Sequence, residues 1–185
     1  MQTIGFKLKK INAAMAFLVI LSLFCHAGTM CVSLWTGWYN FLIAKTFAYI
    51  TVIALAFHVL FSLILFFFVH DGANLKYTKE NRTAFLQRAS ALAILILLHA
   101  HVNAYSHMST GEVLTTGQTI FYCLTELLFF ASVMTHVAVS FSKGLITLGL
   151  VSSAETIHRI DIAAYIICVL AMAATTGGML HFFVG

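Results

Sequence analysis

The chain has 185 residues, of which 61% are hydrophobic and only 9% are charged. Average soluble domains carry roughly 25% charged residues, so this composition excludes a soluble protein and predicts a single membrane domain over residues 1–185. The net charge of +4 is small, and the scattered positions of the basic residues exclude a role in nucleic-acid binding. Proline is absent, which favours long helices without proline kinks.

Five apolar runs follow one another along the chain. Each is long enough to cross the roughly 30 Å hydrocarbon core of a bilayer, which takes about 20 helical residues. Polar segments that contain glycine separate the runs. We therefore predict an all-α membrane protein with five transmembrane helices, the first preceded by a short interfacial segment and the first four forming an up-down-up-down bundle. The predicted helices cover approximately residues 11–35, 41–69, 83–105, 118–141 and 160–184.

The basic residues predict the orientation of these helices. Three lysines precede the first helix, and the second and fourth loops are also basic, whereas the third loop has no Lys or Arg. The first loop has only Lys45, at its edge. By the positive-inside rule, the N-terminus and the second and fourth loops face the cytoplasm, and the C-terminus faces the outside.

Nine histidines are present, and ionisable groups inside a membrane are costly enough to be candidates for function. With the predicted orientation, His26 on helix one and His101 on helix three lie in the outer halves of their helices. His58 on helix two and His136 on helix four lie in the inner halves. Helices one and three, and helices two and four, are diagonal partners in such a bundle. Cofactors of helical bundles bind between facing helices and imidazole is a common ligand of haem iron, so the two levels predict two stacked haems.

His99 competes with His101 for the outer site. Two residues correspond to about 200° around a helix, so only one of these side chains faces the core. We choose His101 and keep His99 as the alternative.

Three basic residues near the predicted cytoplasmic side are candidates to bind haem propionates. Lys143 is about two turns beyond His136 on the same stripe of helix four. Arg88 opens helix three and Arg159 opens helix five, where charge-assisted hydrogen bonds to a carboxylate are available to each. The other interpretation of all three is that they anchor the helices at the cytoplasmic interface.

Four segments resemble one known family in their order and spacing. "FLQRASALAILILLHAH", which contains His101, resembles the third helix of the five-helix, two-haem cytochrome b subunit of succinate:quinone oxidoreductases, where a Gln-Arg pair precedes an axial histidine. "ASVMTHVAVSFSKGLITLGL" with His136 resembles the next helix. "LAFHVLFSLI" with His58 resembles the second helix, and "LSLFCHAG" with His26 resembles the first. The resemblance covers most of the chain.

The resemblance implies a membrane anchor for a flavoprotein subunit and an iron–sulfur subunit on the cytoplasmic face of a bacterial or archaeal membrane. Electrons would pass between the succinate/fumarate couple and quinone, often menaquinone, through two b haems. The proximal haem would use His58 and His136, and the distal haem would use His26 and His101. The chain alone would not act on a dicarboxylate.

A quinone site near the outer face is a further implication of the resemblance. Trp38, Tyr105, His107 and Glu112 lie near that face in the predicted topology and are its candidates, although interfacial aromatic residues are common there in any case. Some members of this family carry an acidic residue just before the histidine ligand of helix four, where it serves proton movement across the membrane. The only acid on this helix is Glu126, about three turns away toward the outside, so the sequence does not predict proton coupling.

Two other functions fit parts of the pattern. One is a di-haem anchor for a hydrogenase or a formate dehydrogenase, although many of those crowd their ligands onto fewer helices. The other is a proton or metal transporter that uses membrane histidines. Transporters often have two helices interrupted by glycine or proline, one at the corresponding position of each half. We expect no such pair of interrupted helices in this chain, and no buried cluster of carboxylate and histidine side chains.

Overall fold

Five long helices make up the computed structural model, which describes residues 2–68, 78–110 and 113–184. All five are long and apolar enough to cross a membrane, and no strand occurs in the described ranges. The prediction of an all-α membrane protein with five helices is therefore confirmed. The helices are α1 (Gln2–Thr36), α2 (Phe41–Phe68), α3 (Thr78–Thr110), α4 (Thr116–Leu148) and α5 (Ala154–Val184).

α1, α3, α4 and α5 are longer than the apolar runs that predict them, whereas α2 is described over almost the predicted range. α1 begins at Gln2, so its lysines lie within the helix rather than in a separate interfacial segment. Lysine and glutamine are good helix formers, and the chain has no proline to end a helix. Hydropathy marks the part of a helix that crosses lipid, whereas its ends are set by the capping residues beyond that part.

α4 shows such ends clearly. Thr115 caps its N-terminus, and a capping box pairs the Thr115 side chain and backbone with Gln118. Gly149 ends the helix in a left-handed conformation with φ 78°, and its N–H reaches the carbonyl groups of the last turn. Glycine adopts this conformation without the steric cost of a Cβ atom.

α1 and α2 run antiparallel. Near one end of the pair, Asn12 donates a hydrogen bond to Ser62, and further along α1 the hydroxyl of Thr51 donates to Ser22. Later positions on α1 therefore meet earlier positions on α2, as expected for helices joined by the short segment 37–40.

The packing order of the helices defines the interior of the bundle. α4 packs against α1, α3 and α5, and α1 also packs against α2 and α5. In the ranges that the structure describes, α2 and α3 make no close backbone contact. The first four helices thus lie in the order α2, α1, α4, α3 around an interior that is open between α2 and α3. α1 and α3 are diagonal partners, as are α2 and α4.

An apolar cluster closes the opposite side of the bundle. One face of α4 supplies most of it, and Cys168 and Met179 of α5 complete it. Glycines let α5 approach α1, because a Cβ atom at Gly177 would lie 3.0 Å from the Trp35 ring. The α4 members of the cluster are Phe129, Phe130, Val133, Met134, Val137 and Ala138.

Candidate functional site

His26 and His101 face each other across the bundle. They lie on the diagonal helices α1 and α3, with ring centroids 6.4 Å apart and ring planes at 82°. Both line a cavity of about 430 Å³ whose walls come from all five helices. An imidazole nitrogen binds a metal ion at about 2 Å, so two rings on opposite sides of one metal ion have centroids about 6 Å apart. The observed separation fits a site with two axial imidazoles.

The hydrogen bonds of this pair leave the metal-binding nitrogens available. Nδ1 of His26 lies 3.3 Å from the carbonyl oxygen of Ala44 on α2. Nδ1 of His101 lies 2.8 Å from Oε2 of Glu126 on α4. A carbonyl or carboxylate oxygen beside Nδ1 fits the tautomer in which Nδ1–H donates and Nε2 keeps its lone pair. Metal-bound histidines commonly show this pattern, in which the second nitrogen fixes tautomer and ring orientation.

His58 and His136 lie on the other two diagonal helices, α2 and α4. Nδ1 of His58 lies 3.4 Å from the carbonyl oxygen of Asn12. Nδ1 of His136 lies 3.0 Å from the carbonyl oxygen of Gln87 and 3.2 Å from Oγ of Ser90. Among the described residues, no hydrogen bond engages Nε2 of either ring.

A repeated spacing relates the two levels. Three of the helices carry an acceptor carbonyl fourteen residues before their own histidine, which is about 21 Å of helix rise. Each carbonyl serves the histidine of the neighbouring antiparallel helix. On α4 the acceptor is instead a side chain, Glu126, which lies ten residues before His136. The three carbonyl–histidine spacings are Asn12 to His26, Ala44 to His58 and Gln87 to His101.

Glu126 is a site residue that the sequence analysis missed. It is 0% exposed and pairs with His101 in the middle of the bundle. The prediction that the bundle holds no buried carboxylate–histidine cluster is therefore wrong. The signal was present in the sequence, because ten residues before His136 on an antiparallel helix places Glu126 about 15 Å toward the level of His101.

His99 lies on a different face of α3 from His101. It is exposed, and its Nε2 lies 3.1 Å from Nδ2 of Asn103, one turn along the same helix. The structure thus brings His101, and not His99, against His26.

The three predicted propionate ligands lie in different surroundings. Lys143 is half-buried and donates a 3.1 Å hydrogen bond to the side-chain oxygen Oε1 of Gln87. The main-chain carbonyl of the same residue accepts from Nδ1 of His136. Arg88 is exposed, with its guanidinium 5.2 Å from the centre of the Phe66 ring. The Arg159 side chain is 76% exposed and pairs with Glu155, one turn earlier in α5. Only Lys143 lies beside a histidine pair.

The predicted quinone residues divide in the same way. Tyr105 lines the cavity with its ring centroid 5.3 Å from that of His101. Its buried hydroxyl has no hydrogen-bond partner in the part of the chain that the structure describes. Trp38 is exposed, whereas the His107 side chain and all of Glu112 lie outside the described residues. Lys45, which the sequence analysis used only for topology, also lines the cavity.

The donor set fits haem, because haem iron takes only two axial ligands from the protein and its four remaining bonds from the porphyrin. Within the described ranges, no group of three or more Cys, His, Asp or Glu side chains is placed to hold a bare metal ion.

Comparison with protein-family models, with curated proteins and with solved structures found no match to this chain.

Proposed function

We propose that the chain is a di-haem cytochrome b and the membrane-anchor subunit of a succinate:quinone oxidoreductase. The observation that carries this proposal is the placement of four histidines on the four helices of one bundle, with His26 facing His101 on one diagonal and His58 and His136 on the two helices of the other. Each ring has Nδ1 bonded to an acceptor and Nε2 left with a free lone pair. A single satisfied histidine is common in membrane helices, whereas two such pairs at two levels need a shared explanation.

The residues of each pair would hold the iron of one haem, and bound haem supplies reversible one-electron transfer. The chain itself orients the ligands. Main-chain carbonyls at Asn12, Ala44 and Gln87 fix three of the rings, and Glu126 fixes the fourth. Outer partners of this kind hold a histidine in the tautomer that binds metal. Lys143 lies beside His136, where it is placed to bind a propionate.

Two features support the assignment to a succinate:quinone oxidoreductase. The ligands are spread over four helices, one on each, rather than crowded onto fewer as in many hydrogenase and formate dehydrogenase anchors. The segments around them also resemble the cytochrome b family in order and spacing. On this assignment, a flavoprotein and an iron–sulfur subunit bind the cytoplasmic side, nearest His58 and His136, and membrane quinone exchanges electrons with the haems.

A proton transporter is a second candidate, and the buried His101–Glu126 contact is the observation that favours it. Paired ionisable groups inside a membrane are typical of proton pathways. The other three histidines favour the cytochrome, because their Nδ1 atoms bond to main-chain carbonyls, which do not exchange protons.

Haem content separates these two candidates. The full chain, produced in haem-replete cells and purified in detergent, should show a reduced b-type absorption spectrum and two haems per chain by the pyridine haemochrome assay. A colourless preparation would rule out the cytochrome and leave the transporter.

Co-purification tests the finer assignment. The tagged chain, isolated from its native membranes, should bring down a flavin-containing and an iron–sulfur subunit, and succinate should reduce a quinone analogue in that preparation. Haem-containing protein that carries a hydrogenase or a formate dehydrogenase instead would overturn the succinate assignment and keep the di-haem function.

A further inference from the structure

We propose that Glu126 is a positioning residue that lowers the midpoint potential of one haem, the one ligated by His101, relative to the other. This inference rests on the di-haem function proposed above. It concerns a side chain that reaches the metal only through a ligand, so its effect is on potential rather than on a reacting atom.

The contact between the Glu126 carboxylate and the His101 imidazole is short and buried. Oε2 of Glu126 lies 2.8 Å from Nδ1 of His101, and the side chain is 0% exposed. Its other oxygen, Oε1, is buried and makes no hydrogen bond to any described residue. The carboxylate is therefore directed at the His101 imidazole and is closed to water.

The acceptors of the other three histidines are neutral. Nδ1 of His26, His58 and His136 lies 3.0–3.4 Å from main-chain carbonyl oxygens. Hydrogen bonds to an ionised acceptor are shorter and roughly twice as strong as those between neutral groups. The His101 site thus differs from the other level by one charged acceptor.

A charged acceptor changes the electronic character of the ligand. It draws the Nδ1 proton toward itself and makes Nε2 a stronger donor to iron, as carboxylate–histidine–metal triads do. Ferric haem carries one more positive charge than ferrous haem, so a nearby carboxylate stabilises the oxidised form. Second-shell hydrogen bonding is one of the means by which a protein sets a haem potential.

The surroundings strengthen this effect. The Phe129 ring stacks on His101 with centroids 4.5 Å apart and planes at 21°. Phe129 is one turn beyond Glu126 on α4, so one helix both orients the imidazole and supplies its acceptor. Apolar side chains around the pair provide little screening, which makes a charge interaction stronger than it would be in water.

The test compares Glu126→Gln with wild type by optical potentiometry of the purified, haem-loaded protein. Glutamine keeps a neutral acceptor oxygen at the same reach. At a fixed ambient potential, we expect the reduced-to-oxidised ratio of one haem to rise about tenfold, equivalent to about 59 mV for a one-electron couple. The midpoint potential of the other haem should stay unchanged. Ser90→Ala is the matched control, because it removes a hydroxyl 3.2 Å from Nδ1 of His136 and leaves the charge at His101 in place.

Each outcome decides the proposal. Two haems with both potentials unchanged in Glu126→Gln would overturn the role of Glu126 and leave the di-haem function standing. If Glu126→Gln loses one haem, Glu126→Asp replaces it in the comparison. In Glu126→Asp, a potential of the affected haem above its wild-type value, with a shifted ferric EPR signal, supports the proposal, and a wild-type potential overturns it. A wild-type protein without haem would overturn both proposals.

Discussion

The level of His58 and His136 and the level of His26 and His101 use the same helical spacing in different surroundings. Near His58 and His136 the neighbours are polar, since Asn12 donates to Ser62 and Lys143 donates to Gln87. His26 and His101 line a largely apolar cavity, and one buried carboxylate, Glu126, contacts His101. The position of each histidine is thus set by helix geometry, whereas its chemical surroundings depend on one or two side chains beside it.

We call the level of His26 and His101 the apolar level and the level of His58 and His136 the polar level. The largest expected effect comes from removing one proposed ligand of the apolar level. His101→Ala should reduce the haem content of the purified chain by half, because an iron with one axial ligand missing is held too weakly to survive purification. His99→Ala is the control on the same helix, and it should keep the wild-type haem content. The pyridine haemochrome assay measures both. If His99→Ala loses haem and His101→Ala does not, the face of α3 that binds haem is the opposite one.

Removing a ligand of the polar level should have the same effect on the other haem. His136→Ala should also halve the haem content, and the remaining haem should have the lower of the two wild-type potentials. His101→Ala should leave the higher one. Potentiometry of the two variants therefore measures each level alone. His158→Ala, at an exposed position on α5, should leave both haems in place. One potential common to both ligand variants would contradict the difference between the levels.

Packing at the His26 end of the bundle should have an intermediate effect. A Cβ atom at Gly178 would lie 3.2 Å from Nε1 of Trp35 and 3.4 Å from Cβ of Leu34. Gly178→Val should therefore destabilise the chain by about 1–3 kcal/mol through overpacking, seen as a lower unfolding temperature in detergent. Gly28→Val is the control, because a Cβ atom there meets nothing within 4 Å. Equal unfolding temperatures for the two variants would contradict the close α1–α5 contact.

The smallest effect is expected at the charge beside the polar level. A positive charge favours the reduced form of a nearby haem, so Lys143→Met should lower the reduced-to-oxidised ratio of one haem at fixed potential. A partly screened interaction predicts a change of roughly two- to fivefold. Arg159→Met should change nothing, because Arg159 is exposed and paired with Glu155. A larger change in Arg159→Met than in Lys143→Met would show that the propionate contact lies at α5.

The number of helices was predictable because each apolar run is long enough to cross the lipid. The helix ends were not, since residues such as Lys7 and Lys10 continue α1 beyond any apolar signal. The open side between α2 and α3 was also not predictable, because run lengths do not specify which neighbouring helices touch. Chain order and helix direction suffice to place the four histidines at two levels, whereas contacts between side chains on different helices need coordinates.

Glu126 illustrates this limit. It is 25 residues from His101 in sequence and on another helix, so no local motif joins the two. Comparing depths across antiparallel helices, as was done for the histidines, would have placed both at one level.

The number of haems bound per purified wild-type chain tests the central claim most directly. Two pairs of histidines with free Nε2 atoms predict two b-type haems per chain, measured by pyridine haemochrome against quantitative amino-acid analysis. A chain purified from haem-replete cells with no haem would contradict the account entirely, and a single haem would show that only one of the two levels binds the cofactor.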